Sequence, residues 1–372
     1  LILQHKCPDC GADMQYDADS RLLKCPSCGK TQNIKDMEPD FDPNAKQSHD
    51  AEASADDVDE VYGDFEDFEE QSTYGTYEDN EAKHYICQNC GAELITDADT
   101  TATICSYCNS PMILGDRLSG KMAPSKVIPF TISKERAEET FKKWCKHGLI
   151  TPKDFTKADR ISSITGMYVP FWLYDVNGRG EAHAHATKVR HYTSGDYDVT
   201  ETRHYQVYRK VSLNFNDIPA DASEKMPDDM MDKLEPYTYQ DLTDFNTPYL
   251  SGFIAEKYNY TDAELFPRIK QKTEHYMDQY ISNTITGYSS VTFTDRSYDT
   301  RQKNAIYSLL PVWMLSYNFN GKNYLFAMNG QTGKVVGKPP VSKGKVALWW
   351  GSITLVTFLI SFLITMAAGG AF

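Results

Sequence analysis

Apolar residues recur at helical spacing over 133–147, where Ala137, Phe141, Trp144 and Cys145 share one face. Thr261-Asp-Ala-Glu264 has the form of a capping box and predicts a longer helix running to about Asn283. Pro267 lies past its first turn and should bend it or delay its start. Strands are predicted at MYVPFWLYDV (167–176), at the alternating EAHAHATKV (181–189) and at ETRHYQVYRKVSLNF (201–215). Further strands are predicted at SSVTFTD (289–295), SLLPVWMLSYNF (308–319) and KNYLFAMN (322–329). Asn177-Gly178, Asn320-Gly321 and Asn329-Gly330 have the composition of hairpin turns. Pro170-Phe-Trp-Leu173 matches Pro311-Val-Trp-Met314 at an offset of 141, each after a helix and before a hairpin. Residues 116–340 are therefore expected to form an α+β domain with antiparallel sheets, built as two helix-plus-sheet units packed together.

The pattern changes at 346–368, which hold 23 residues without a charge. As a helix this stretch is about 35 Å long, enough for a hydrocarbon core of about 30 Å. Lys334, Lys338, Lys343 and Lys345 precede it without an acid, and Trp349 and Trp350 lie where interfacial anchors belong. A single-pass transmembrane helix is expected, with the preceding bulk on the cytoplasmic side. No intramembrane charge marks a transport path.

The first 115 residues carry two copies of one cysteine pattern. Cys7-x-x-Cys10-Gly is followed after 14 residues by Cys25-x-x-Cys28-Gly, and Cys87-x-x-Cys90-Gly after 14 residues by Cys105-x-x-Cys108. The copies are offset by 80 throughout, and their spacers share an Asp-Ala-Asp turn at 17–19 and 97–99. Two residues between paired cysteines let a tight knuckle aim both sulfurs at one ion, and a glycine after the pair permits the positive φ of the turn. Each spacer is then a hairpin that returns the second knuckle to the metal. Two β zinc ribbons are expected, at 1–35 and 84–115, with four thiolates closing each shell and leaving no position for a catalytic water. Tetrahedral sulfur also suits iron, the alternative metal. No apolar stretch precedes Cys7, so a secretory signal and a disulfide scaffold are not expected.

Charge separates the ribbons. Residues 36–83 hold 18 Asp/Glu and 2 Lys, a balance of −16 within a chain total of −14, so the rest sums to +2. Such a tract predicts a disordered acidic linker, with Val61, Tyr62, Phe65 and Phe68 as a motif able to order on a basic, apolar groove. In ribbon one Lys6, Arg21, Lys24, Lys30 and Lys35 stand against Asp9, Asp13, Asp17 and Asp19; the stretch from Lys83 to Gly115 has that one Lys against Glu93, Asp97 and Asp99. Neither is the basic stripe that phosphate backbones require, so nucleic acid is the weaker partner reading.

No phosphate-binding loop, nucleophile elbow or zinc-protease motif occurs. His183, His185, His191 and His204 are expected as polar residues on a wet sheet face, and Cys145 as an inert core thiol. The chain is not expected to be an enzyme.

The ribbons, Tyr-Val-Pro-Phe-Trp-Leu-Tyr (168–174), Leu-Pro-Val-Trp (310–313) and the basic flank before a final helix resemble the bacterial TFIIB-type zinc-ribbon-containing membrane proteins, the YdjG-like ones of Bacillus among them. Such proteins are often mislabelled as PriA-type helicases. The resemblance implies two structural Zn2+ on Cys7, Cys10, Cys25, Cys28 and on Cys87, Cys90, Cys105, Cys108. It also implies an adaptor that recruits a cytoplasmic SPFH-domain or PspA-like protein to the membrane in envelope stress.

Overall fold

A computed structural model of the chain describes residues 2–37, 83–118, 123–147, 150–152, 155, 164–319 and 321–369. The acidic linker, apart from Asp36, Met37 and Lys83, lies outside the described residues, as does its aromatic motif.

Ribbon one comprises β1 (Ile2–Leu3), β2 (Gln15–Asp17), β3 (Leu22–Lys24) and β4 (Thr31–Gln32). Ribbon two comprises β5 (Lys83–Ile86), β6 (Glu93–Thr96), β7 (Thr100–Ile104) and β8 (Pro111–Leu114). The sheet-rich middle follows as β9 (Lys126–Val127), α1 (Lys134–His147), β10 (Thr165–Ser194), β11 (Tyr197–Asp221), α2 (Asp228–Leu234), β12 (Thr243–Asp244), β13 (Ile254–Glu256), α3 (Asp262–Thr284), β14 (Ser290–Phe319), β15 (Lys322–Asn329) and β16 (Val335–Gly337). The last element is α4 (Lys343–Gly369).

The middle repeats one topology, and its two halves exchange strands. Each half runs short strand, helix, long strand, return strand: β9–α1–β10–β11, then β13–α3–β14–β15. β10 and β14 lie antiparallel at the centre, with Tyr168 opposite Pro311. β13 joins β10 in parallel at Met167 and Tyr168, and β9 joins β14 in parallel at Ser308 and Leu309, the same places shifted by 141. Each half thus lends its short strand to the other's long strand. The matched tryptophans do the same. Trp172 Nε1 donates to Tyr260 O at 2.9 Å and Trp313 Nε1 to Ile132 O at 3.0 Å, each just before the other half's helix. Trp172 packs on Tyr258 and Trp313 on Phe130, with ring centroids 5.3 and 5.1 Å apart. Both return strands end on a buried side chain, Asp221 or Asn329, that accepts backbone N–H groups of the following turn.

The halves differ in one respect. The return strand of the first pairs with its long strand from Phe171 to Ser194; that of the second pairs from Val312 to Phe319 only. The extra length of β10 and β11, with the first part of β14, makes a three-stranded arm. At about 3.3 Å per residue it covers about 76 Å from Trp172 to the hairpin at Gly195, three-stranded as far as Thr187 opposite Ser290 and two-stranded beyond. The expected turn at Asn177-Gly178 is not formed, and the two strands predicted on either side of it are one. Gly178 is instead where α3 crosses: a Cβ there would lie 2.7 Å from Met277 Sδ. The strands expected at 289–295 and 308–319 likewise merge into β14. The turns at Gly321 (φ 74°) and at Asn329-Gly330 are present.

α3 has the capping box read from Thr261 and Glu264, and Pro267 sits inside the helix without delaying its start. Ile281, with Ile285 just beyond the helix, covers Ala182, Ala184, Ala186 and Val207 of the arm. The alternation of EAHAHATKV is thereby explained: alanines let the helix approach, histidines face away. α1 buries Ala137, Phe141 and Cys145, as its periodicity predicts. α4 is long and apolar enough to span a membrane, and none of its apolar window is buried in the protein.

Candidate metal centres

Each knuckle is a turn in which the glycine N–H returns to the first cysteine's carbonyl: Gly11 to Cys7, Gly29 to Cys25 and Gly91 to Cys87, at 2.8–3.0 Å. These glycines have φ of 72–77°. The fourth knuckle lacks glycine, and Asn109 takes its place at φ 58°, a conformation asparagine tolerates better than most residues.

The spacing expected to gather the sulfurs does so. Cys7, Cys10, Cys25 and Cys28 have all Sγ atoms within 4.8 Å of one another, and so do Cys87, Cys90, Cys105 and Cys108. Cys7–Cys28 and Cys10–Cys25 are 3.5 Å apart, and Cys87–Cys108 and Cys90–Cys105 3.7 Å. A tetrahedron with metal–sulfur bonds of about 2.3 Å has edges of about 3.8 Å. Both sets therefore fit a four-coordinate ion such as Zn2+, with no ligand position left for chemistry. Backbone N–H groups of Cys28 and Ser27 aim at Cys25 and hold its thiol down to about 6. Ser110 has the same effect on Cys108, also to about 6. In each centre a second thiol moves the other way: against the pull of the Lys30 and Ala92 N–H groups, neighbouring sulfurs push Cys28 and Cys90 up to about 12.

The Asp-Ala-Asp tips fasten the ribbons to the body. Asp19 meets Arg136 of α1 at 3.3 Å, and Asp97 meets Lys225 at 2.5 Å. Asp99 accepts Lys257 N through its carbonyl at 2.8 Å. Ribbon one goes deeper: Tyr16 donates its hydroxyl to Phe130 O and its N–H to Ser251 O, and packs on Tyr249 and Phe253. Cys7 and Cys25 belong to the same core as Phe130, Tyr168 and Trp313. Ribbon two joins the large sheet, β7 to β13 and β8 to β1, so a boundary at 115/116 falls within one sheet. Inside it, buried Arg117 donates to Asp97 O and Thr100 O at 2.5 and 2.7 Å, under the Tyr85 ring.

Sequence reasoning missed Arg117, Lys225 and the tryptophan tethers. The repeated Asp-Ala-Asp was visible, but its partners in the body, Arg136, Lys225 and Lys257, lie more than 100 residues away. Lys225 also meets Glu256 at 3.2 Å, a carboxylate whose pKa burial raises and Lys225 lowers. Lys225→Ala is expected to cost about 1–3 kcal/mol at pH 7 by leaving Glu256 buried and unpaired. Because the folded-state pKa of Glu256 lies above its unfolded value, the penalty attaches to the ionised form and shrinks as pH falls through that folded pKa. Urea unfolding at pH 7 and pH 5 checks this; an equal loss at both contradicts it.

His183 and His185 lie on the open face of the arm. His183 stacks near Tyr208 and His185 near His204, at 4.8 and 5.1 Å, while His191 Nδ1 is 2.9 Å from Thr200 Oγ1. Among the described residues they join no three-ligand cluster. Cys145 is 2% exposed, and burial pushes its thiol up to about 12.

No family profile matches the sequence, and no solved structure matches it. The uncharacterized protein YdjG of Bacillus subtilis (strain 168) is 50% identical over 372 residues, spanning 100% of both chains. With that identity along its whole length, ribbons and final helix included, the chain belongs to the YdjG family.

Proposed function

We propose that the protein is a non-enzymatic, membrane-held zinc-ribbon adaptor that recruits cytoplasmic protein partners. The observation that carries this reading is the arm. Beyond the repeated core, β10 and β11 of the first half run on as a long extension, and the first part of β14 pairs along it as far as Ser290. One face of that extension is covered by α3, while the other presents Arg179, His183, His185, Gln206 and Tyr208 to solvent. Eight thiolates in two closed shells support a structural use of metal. In this reading α4 crosses the membrane once with the bulk cytoplasmic, the ions are Zn2+, and the kinship is with TFIIB-type ribbons. The resemblance adds an SPFH-domain or PspA-like partner and a place in envelope stress.

Cells producing the protein without residues 343–372 supply the test. Both the truncated protein and its partner, identified by affinity capture of the full chain in mild detergent, are expected to leave the membrane fraction. A partner that stays at the membrane regardless counts against recruitment. Retardation of nucleic acid by the full chain would favour the nucleic-acid reading; Lys6 and Lys30, paired with Asp13 and Asp9, argue against it.

A further inference from the structure

The start of α4 is tied to the segment that follows α1. Ser342 N donates to Ile150 O at 2.8 Å, and Lys345 Nζ donates to Thr151 O at 2.7 Å. Ile150 and the neighbouring Val341 nevertheless keep 37% and 56% of their surface exposed. Ser342 precedes Val346, the first residue of the uncharged stretch, by four positions, about 6 Å along a helix. The headgroup layer on each side of a bilayer is about 5–8 Å thick. Two exposed aliphatic side chains therefore lie at headgroup depth if α4 spans the membrane, among Lys338, Lys343 and Lys345 with no acid between 334 and 345. Aliphatic tips beside lysines are the composition that enters an anionic lipid surface: the apolar groups reach the acyl boundary and the ammonium groups meet phosphates.

We infer that Ile150 and Val341 form a second membrane contact, a foot set into the headgroup boundary of an anionic bilayer, which fixes the orientation of the body on α4. The inference rests on α4 being a span. One helix alone would let the body swivel; two contacts joined by hydrogen bonds, one from the Ser342 N–H and one from the Lys345 ammonium, do not. The consequence is directional. β10 begins at Thr165, opposite Met314, at the end of the sheet where Phe155 of this segment packs on Phe319, and its hairpin at Gly195 is at the other end. A seated foot holds the arm pointing away from the lipid.

The test uses the full chain in vesicles of phosphatidylcholine and phosphatidylglycerol, with photoreactive benzoylphenylalanine placed at 150, at 341 or at the arm tip in place of Tyr197. Flotation is measured first. Lipid adducts are expected at 150 and 341, several-fold above those at 197. Protein that floats but forms adducts at neither 150 nor 341 overturns the foot and leaves the span standing. Protein that does not float overturns the span, and the foot with it. Adducts at 197 equal to those at 150 overturn the fixed orientation.

Discussion

Removing the metal from ribbon one is expected to lower the unfolding temperature of the whole body rather than to melt a separate small module. A ribbon of about 30 residues has little core of its own, and a four-thiolate ion contributes on the order of 10 kcal/mol to its folding. That is comparable to the 5–15 kcal/mol that holds an ordinary domain together. Ribbon one spends this stability inside the body. Met14, Tyr16, Leu23 and Ile34 are buried in one core with Phe130, Tyr168, Phe253 and Trp313, and Phe130 stacks on Phe253 at 4.1 Å. When Cys25 loses its ion, the side chains that seal this aromatic cluster lose their frame. Scanning calorimetry of the detergent-solubilised full chain, with and without chelator, should show the main transition shifted down. Cys25→Ser should reproduce the shift at saturating metal. Cys105→Ser should do less, because Cys87 and Cys105 belong to a separate small cluster with Tyr85, Met112 and Leu114 and reach the body through β7 and Lys225. A main transition that stays in place while only a minor one disappears would show that the ribbon folds alone.

This coupling marks the limit of what the sequence discloses. The cysteine clusters and the apolar helix were legible because their chemistry is local: four sulfurs at fixed spacing, or 23 residues without a charge, need no knowledge of neighbours. Helix starts were legible for the same reason, since Thr261 and Glu264 satisfy each other's backbone groups. Asn177-Gly178 misled because glycine serves two purposes. At Gly321 it supplies a positive φ; at Gly178 it supplies room beneath Met277, and only the position of α3 distinguishes the two. The Pro-x-Trp repeat announced a duplication, but not that the halves exchange short strands. Exchange depends on pairing between residues some 90 to 180 positions apart, as in Tyr168 with Ala255 and Leu309 with Val127.

The exchanged tryptophans give a second strong expectation, because they are equivalent in topology and unequal in surroundings. Trp313 is 4% exposed and packs against Phe130 and Phe253; Trp172 is half-buried, against Tyr258 and Tyr307. Trp313→Ala is expected to cost about 3–5 kcal/mol, the usual range for deleting a large aromatic side chain from a core. Trp172→Ala should cost clearly less, since solvent already reaches its ring and can replace its hydrogen bond to Tyr260 O. Trp313→Phe separates the contributions. It keeps most of the ring but leaves Ile132 O without its donor, a loss of about 1–3 kcal/mol. Urea unfolding followed by circular dichroism measures all three, the midpoint reporting stability while the slope is unchanged. The order Trp313→Ala, then Trp313→Phe and Trp172→Ala, follows if each tryptophan holds the opposite half's helix start in its own setting. Equal losses at 172 and 313 would mean that the tether itself, common to both, outweighs the burial that sets them apart.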